Sequence, residues 1–413
     1  MRRGVLDVRT LIAVALLLAY GLVVLYSAGQ TDVATSANGV WQKQLVWIAV
    51  AFLAGSVTYR ISPRVLEWAA PPLYLLGLLL LLVTLAVGTG AGTAAGTRSW
   101  LSIGGVRIGQ PVELAKLATI LMLARWLAAR REAPATMREM MPACIIAGVP
   151  FLLVLKQPDL GSAIVFAGIL FAMLFWAGTR FWLLFLLASP VFSLLLAFKE
   201  WTWGVYFAVL VYLLYRWRPY LWEGLAVLAV NVMMGFIAMP VWRSLKSYQQ
   251  NRILTFLDPN FDPQGANYQA IQSKVAIGSG GWFGTGWLEG PQKRLVFLPA
   301  QHTDFVFSVV GEELGFLGVV VALLLFMYLL NRMVRISRRA SDPFSSLVVF
   351  GVVGLILTHV FENVGMTVSL MPITGIPLPF FSYGGSFLVA CCLALGVVMR
   401  VGKDASLIGY ADA

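Results

Sequence analysis

Charge is what this sequence lacks most. Asp, Glu, Lys and Arg make up only 12% of its 413 residues, against about 25% in soluble proteins. That shortage excludes an ordinary water-soluble domain. Cysteine and histidine are scarce as well, at 3 and 2 residues. Cys144, Cys391 and Cys392 lie in apolar runs without metal-ligand spacing, so they read as small core residues rather than a disulfide framework or a zinc site. No convincing cleavage site follows the first apolar run, 11–28, which predicts a retained span rather than a removed leader. No basic patch interleaved with aromatics and no nucleic-acid motif is present. The net charge of +11 therefore points to membrane topology, since Lys and Arg collect on the cytoplasmic side.

What is present is apolar length. Hydrophobic residues make up 59% of the chain, and runs of about 20 recur along it, long enough to cross a bilayer as helices. The pattern predicts an all-α polytopic membrane bundle, a single integral membrane domain over 1–413. About twelve spans are expected, at 11–28, 44–59, 70–88, 111–129, 142–156, 162–178, 181–198, 202–216, 221–241, 305–330, 345–368 and 384–400. With the N-terminus inside, 18 Lys and Arg residues fall in cytoplasmic segments and 5 in the short outer loops. Both termini are thus expected inside, and one long loop, 242–304, outside. Mixed charge and glycine clusters there predict short helices and re-entrant pieces over the outer mouth of the bundle. Another Pro/Gly-punctuated stretch, "MPITGIPLPFFSYGGSF", predicts an irregular outer segment, tolerated at that depth only if buried in protein or lining a cavity.

Ionisable residues inside spans are costly and mark interior or water-filled sites. "GQPVELAKLA" carries Gln110, Glu113 and Lys116; the two charges are three apart, so they share a helix face and can pair. A purely structural ion pair is the competing reading. "KQPDLGSA" carries Lys156 and Asp159, and Asp159 has the position of an N-cap. "HVFENVG" adds His359, Glu362 and Asn363. In "LPAQHTDFVFSVVGEELGF", adjacent Glu312 and Glu313 cannot both face one partner, and one is expected to pair inside the bundle. Asp304 has two readings. It could cap the following helix, or, beside His302 at the outer surface, it could act as a general base. Arg98, Lys156, Arg252, Lys274, Lys293 and Arg294 could hold phosphate oxygens, or anchor at the headgroups. These features leave transport and catalysis both open.

Five motifs in order, from about residue 98 to 400, carry a resemblance: "RSWLSIGGVRIGQPVELAKL", "KQPDLGSA", "FLDPNFDPQGANYQAIQSKVAIGSGGWFGTGW", "LPAQHTDFVFSVVGEELGFLG" and "LMPITGIPLPFFSYGGS". Together they resemble the SEDS family (shape, elongation, division and sporulation), and "QSKVAIGSGG" is closer to its elongation members. The resemblance implies a peptidoglycan glycosyltransferase of the bacterial inner membrane that polymerises lipid II during elongation. It implies Asp304 as the essential acid, and matches Glu113, Lys116 and Asp159 to the family's intramembrane polar residues. The same motifs place Trp100, Gln110, Gln272 and Gln292 about the substrate cavity, with His302, Ser382 and Tyr383. No certain cofactor is implied, and a divalent cation is compatible. The expected partners are a class B penicillin-binding transpeptidase, other elongation-machinery membrane proteins and the undecaprenyl-linked glycan strand. The alternatives are a flippase for lipid-linked precursor and a scaffold. The chain departs from the family in three places: two extra apolar segments over 200–240, "GPQ" for the usual "GTQ", and "GGSF" at the last glycine pair.

Overall fold

The computed structural model describes residues 6–33, 35–90, 98–103, 106–258, 261–265, 267–298 and 300–409. Three helices open the chain: α1 (Val8–Ala28), α2 (Val40–Arg60) and α3 (Pro63–Val87). Two short strands follow, β1 (Leu101–Ile103) and β2 (Val106–Gly109), paired antiparallel. Then come α4 (Pro111–Ala128), α5 (Met137–Lys156), α6 (Leu160–Trp176), α7 (Phe181–Leu196), α8 (Glu200–Trp217) and α9 (Leu221–Ser244). The long loop holds α10 (Ser247–Leu257), α11 (Tyr268–Gly280) and α12 (Pro291–Arg294). The chain ends with α13 (Val306–Arg338), α14 (Pro343–Thr367) and α15 (Gly385–Gly409).

Each apolar run became a helix, and local signals set several of the starts. Thr136 caps α5 through the Glu139 amide at 3.2 Å, and Asp342 caps α14 through the Ser345 amide at 2.8 Å. Pro63, Pro111 and Pro343 occupy first turns, where no amide hydrogen bond is lost. By length and composition, 8 described helices can cross a membrane: α1, α2, α3, α5, α9, α13, α14 and α15. α6 and α7 are apolar but shorter, and α4 carries Glu113, Lys116 and Arg125. The strand pair, and the extension of α13 past residue 330, were not legible from apolar length. Arg332 in that extension pairs with Asp7 at 2.7 Å, which keeps the polar end of α13 helical against α1.

α14 is the most enclosed helix, packed by α4, α6 and α13, while α2 runs along α15 and α1 along α13. α7, α8 and α9 form a side group, joined to the rest through α6. The long loop folds back because α13 is broken at Gly315, where φ is 63°. Across this break the amides of Phe316 and Leu317 donate to the carbonyls of Gly281 and Trp282, at 2.8 and 3.2 Å. A Cβ at position 315 would collide with the backbone of Gly284. This close seam pins α11 to α13 and carries residues 291–298 and 300–304 back over one end of the bundle.

Candidate active site

Asp304 sits in the turn before α13, and neighbouring segments hold that turn by its main chain. The His302 carbonyl accepts from the Tyr383 amide at 3.0 Å. The Thr303 carbonyl accepts from Ser382 Oγ at 2.7 Å, and Ser382 Oγ itself accepts from the Leu378 amide at 2.9 Å. Asn363 Nδ2 donates to the Asp304 carbonyl at 2.9 Å and to the Ile376 carbonyl at 2.8 Å. The irregular segment between α14 and α15 thus clamps the "HTD" backbone and leaves the Asp304 side chain uninvolved in the clamp. α13 begins with Phe305 in the cap position and no side-chain cap, so the cap reading of Asp304 does not hold. Gly375, at φ 75°, faces the carboxylate; a Cβ there would stand 3.3 Å from Asp304 Oδ2.

Burial pushes the Asp304 carboxyl up to about 6. The Thr303 hydroxyl and the Arg252 guanidinium oppose that rise, and Asp159 adds to it. Arg252 and Asp159 therefore both lie within electrostatic reach of Asp304. Burial also lowers the His302 pKa, which favours a neutral imidazole at pH 7.

Asp159 performs two tasks at once. One oxygen caps α6 through the Ser162 amide at 3.0 Å; the other accepts from Ser99 Oγ at 3.1 Å and Gln110 Nε2 at 3.4 Å. Gln110 immediately precedes α4, where Lys116 Nζ meets Glu113 Oε1 at 2.8 Å, both side chains almost wholly buried. Lys116 Nζ also lies 3.2 Å from His359 Nε2, and His359 Nδ1 lies 3.2 Å from the Pro377 carbonyl. An ammonium can only donate and a carbonyl only accept, so these partners assign a neutral His359 with its proton on Nδ1. One turn further along α14, both Glu362 oxygens and Asn363 Oδ1 are buried without a hydrogen-bond partner among the described residues. Polar residues from α4, the α5–α6 connection, α14 and the 368–384 segment thus converge at the end of the bundle where Asp304 lies.

Glu312 and Glu313 do structural work. Glu313 pairs with Lys293 at 2.7 Å and accepts from Ser27 Oγ at 2.7 Å. Glu312 turns to the backbone and accepts from the amides of Gln292 at 2.7 Å and Lys293 at 3.3 Å, capping α12. Lys293, expected among the outer phosphate-holding cations, is fully buried. The fold-back of the loop at Gly315 buries it. Arg294 pairs with Asp32 at 3.1 Å on the surface. Arg98 is exposed and donates to the Leu85 carbonyl at 3.4 Å; Trp100 pairs with Thr89 in a β-bridge. Lys156 and Lys274 are exposed, and Gln272 flanks Ser273, which bonds α11 to Ser308 and to the Thr367 carbonyl, both at 2.7 Å. Among the described residues, no hydrogen bond or ion pair joins Lys156, Lys274 or Gln292 to Asp304. Sequence reasoning missed Ser99 and Gly375, which carry no charge and announce themselves only by proximity. Among the described residues no group of three or more His, Cys, Asp or Glu side chains could hold a metal ion.

Away from this cluster, an apolar groove of about 300 Å³ opens between α2, α3, α4 and α15. It is lined by Leu73, Leu80, Leu114, Leu121 and Val397 among others. Leu114 and Leu117 in its wall flank the helical face that carries Glu113 and Lys116.

Comparison with known proteins gives consistent matches. A model of the cell cycle proteins of the FtsW, RodA and SpoVE type matches residues 8–218 and 201–407. The peptidoglycan glycosyltransferase MrdB of Escherichia coli K12 is 35% identical, over 96% of this chain and 93% of that protein. The peptidoglycan glycosyltransferase RodA of Treponema pallidum is also 35% identical, over 97% of this chain and 98% of its own. A solved chain from a peptidoglycan synthase complex that coordinates polymerization and crosslinking superposes with a TM-score of 0.70. It is 31% identical and covers 97% of this chain and 98% of its own.

Proposed function

The chain belongs to the FtsW/RodA/SpoVE family, the SEDS proteins, and we propose that it polymerises lipid II with Asp304 as general base. It is a peptidoglycan glycosyltransferase and an integral membrane protein. The observation that carries the catalytic reading is Asp304 itself: a half-buried carboxylate, freed from capping, on a turn that its neighbours hold by the backbone. Such a group takes the proton from the C4 hydroxyl of the acceptor N-acetylglucosamine. That oxygen attacks the anomeric carbon of the donor N-acetylmuramic acid, the C1–O bond to the pyrophosphate breaks, and undecaprenyl pyrophosphate leaves. The proton passes from Asp304 to water before the next cycle. Arg252, already in electrostatic reach of the carboxylate, offsets charge on the departing pyrophosphate. Lys116 is committed to Glu113 and His359, so its role is to lock α4 to α14 behind the site. The groove beside α4 matches the chemistry of a polyprenyl chain.

The excess of arginine at the far end of the bundle supports both termini inside and Asp304 outside, in the bacterial inner membrane. Over 200–240, α8 and α9 then cross as an extra hairpin with Arg216 and Arg218 inside. The solved complex supports a class B penicillin-binding transpeptidase as the partner that cross-links the strands, and the RodA likeness supports a role in elongation and rod shape. The competing flippase reading predicts movement of lipid II without chemistry. Purified protein incubated with labelled lipid II should yield glycan chains. Transfer of intact lipid II across vesicles, with no polymer formed, would overturn the polymerase reading.

A further inference from the structure

At the end of the bundle opposite Asp304, a second polar cavity of about 530 Å³ opens between the α4–α5 connection and the α8–α9 turn. α5 runs from this cavity to the Asp159 region; its 20 residues span about 30 Å, the thickness of a bilayer's hydrocarbon core. The cavity therefore lies at the other membrane surface. None of its residues takes part in the proposed chemistry, and the inference does not depend on that reading.

Its walls carry both signs of charge. Arg130 and Arg138 line it together with Glu139 and Glu223. Arg130 pairs with Glu139 at 3.0 Å and stacks on Trp126 at 5.1 Å, yet its Nε is buried with no partner. Glu223 is only 2% exposed, and the bond described for it is a long one, from the Arg138 amide at 3.4 Å. The Arg138 side chain is exposed. Tyr220 and Trp222 form the rim at 64% and 51% exposure, the amphipathic aromatics that favour headgroup depth.

A buried carboxylate with one weak donor calls for a better one, and an unpartnered guanidinium N–H calls for an acceptor. An anionic headgroup would satisfy the arginines and be repelled by Glu139 and Glu223. A quaternary ammonium has no N–H to give. A headgroup with a phosphate and a primary ammonium, joined through the two carbons of ethanolamine, serves both. We propose that this cavity binds the headgroup of a zwitterionic aminophospholipid, phosphatidylethanolamine. Its phosphate meets the Arg138 and Arg130 guanidinium groups, its ammonium meets Glu223, and its chains pass the Tyr220–Trp222 rim. The lipid cements the α8–α9 hairpin, which otherwise joins the bundle mainly through α7, to the α4–α5 connection.

Native mass spectrometry of the full chain in detergent tests this with dimyristoyl phosphatidylethanolamine, phosphatidylcholine and phosphatidylglycerol. The first phosphatidylethanolamine should bind at about tenfold lower concentration than either other lipid, the scale of one charge-assisted hydrogen bond. Glu223→Gln should abolish the preference over phosphatidylcholine, and Arg138→Ala should weaken binding of all three lipids about tenfold; Lys199→Ala, an exposed cation at the other end of α8, should change neither. Arg138 is exposed, so its variant keeps the test open should Glu223→Gln fail to fold. Equal or tighter phosphatidylglycerol binding would make this an anionic-lipid site and overturn the proposal. So would equal binding of phosphatidylcholine, a preference over it that survives in folded Glu223→Gln, or Arg138→Ala binding all three lipids as tightly as the unaltered protein.

Discussion

Two groups of helices in this molecule bury polar side chains among apolar ones, and they do so in opposite ways. Inside the α7–α9 group, Ser189, Ser193, Trp203, Tyr206 and Asn231 are neutral and paired with one another. Asn231 Nδ2 donates to Ser189 Oγ and to the Val227 carbonyl, both at 2.9 Å. The Tyr206 hydroxyl lies 3.0 Å from Asn231 Oδ1 and 2.7 Å from the Ser189 carbonyl. Ser193 Oγ donates to the Asn231 carbonyl at 2.7 Å and accepts from Trp203 Nε1 at 2.9 Å. Around α14 the polar residues include the ionisable Glu113, Lys116, His359 and Glu362, and among the described residues Glu362 and its neighbour Asn363 keep buried oxygens without hydrogen-bond partners. A closed neutral network holds helices together in lipid. An open charged one costs free energy that packing alone does not justify, and that is expected where a ligand arrives.

The largest expected effect breaks the charged side without touching the fold. Asp304→Asn should lower glycan synthesis about 10²–10⁴-fold, the usual contribution of a general base. Thermal unfolding should be unchanged or shift upward at neutral pH, because the Asp304 contacts that hold the turn come from its carbonyl and burial disfavours the charged carboxylate. A fully active Asn variant would move the base to His302 or Asp159.

Lys116→Met comes next. It strands Glu113 in a dry site, a loss of about 3–5 kcal/mol for a broken buried pair. Both melting temperature and polymerisation should fall. The double variant with Glu113→Gln should recover much of the stability; failure to do so would show that the pair is not what Lys116 stabilises.

Acid supplies a gentler break. The Asp304 carboxyl sits at about 6, and the base must be deprotonated. The rate should be level above that pH and fall about tenfold per unit below it. Because burial raises this acid's pKa, protonation favours the folded state, so Asp304 adds stability as pH falls through about 6. A rate loss that tracked unfolding would exclude this group as its cause.

The smallest effect sharpens the neutral side. Asn231→Leu should cost about 1 kcal/mol, in the range measured for hydrogen bonds between membrane helices. Glycan synthesis per folded molecule should stay at the normal rate. A large activity loss would mean that the α7–α9 group is coupled to the site.

Local pattern carried much of this protein. Apolar length specified the helices, because a chain in lipid must satisfy its own backbone. A spacing of three specified the Glu113–Lys116 pair, and Asp159 ahead of an apolar run specified a cap. Each of these is settled within a turn or two of helix. The tertiary structure alone decided the rest. Lys293 read as a surface cation and became a buried partner of Glu313 and Ser27, the latter 266 positions away. Asp304 read by spacing as a cap and by position as a base until Asn363, Ser382 and Tyr383 took its turn by the backbone. Ser99 was invisible until it met Asp159, and the orphaned oxygens of Glu362 exist only once α14 is enclosed. These contacts join residues tens to hundreds of positions apart, so no periodicity along the chain encodes them; they follow from where the broken helix at Gly315 sends the loop and from which helices surround α14.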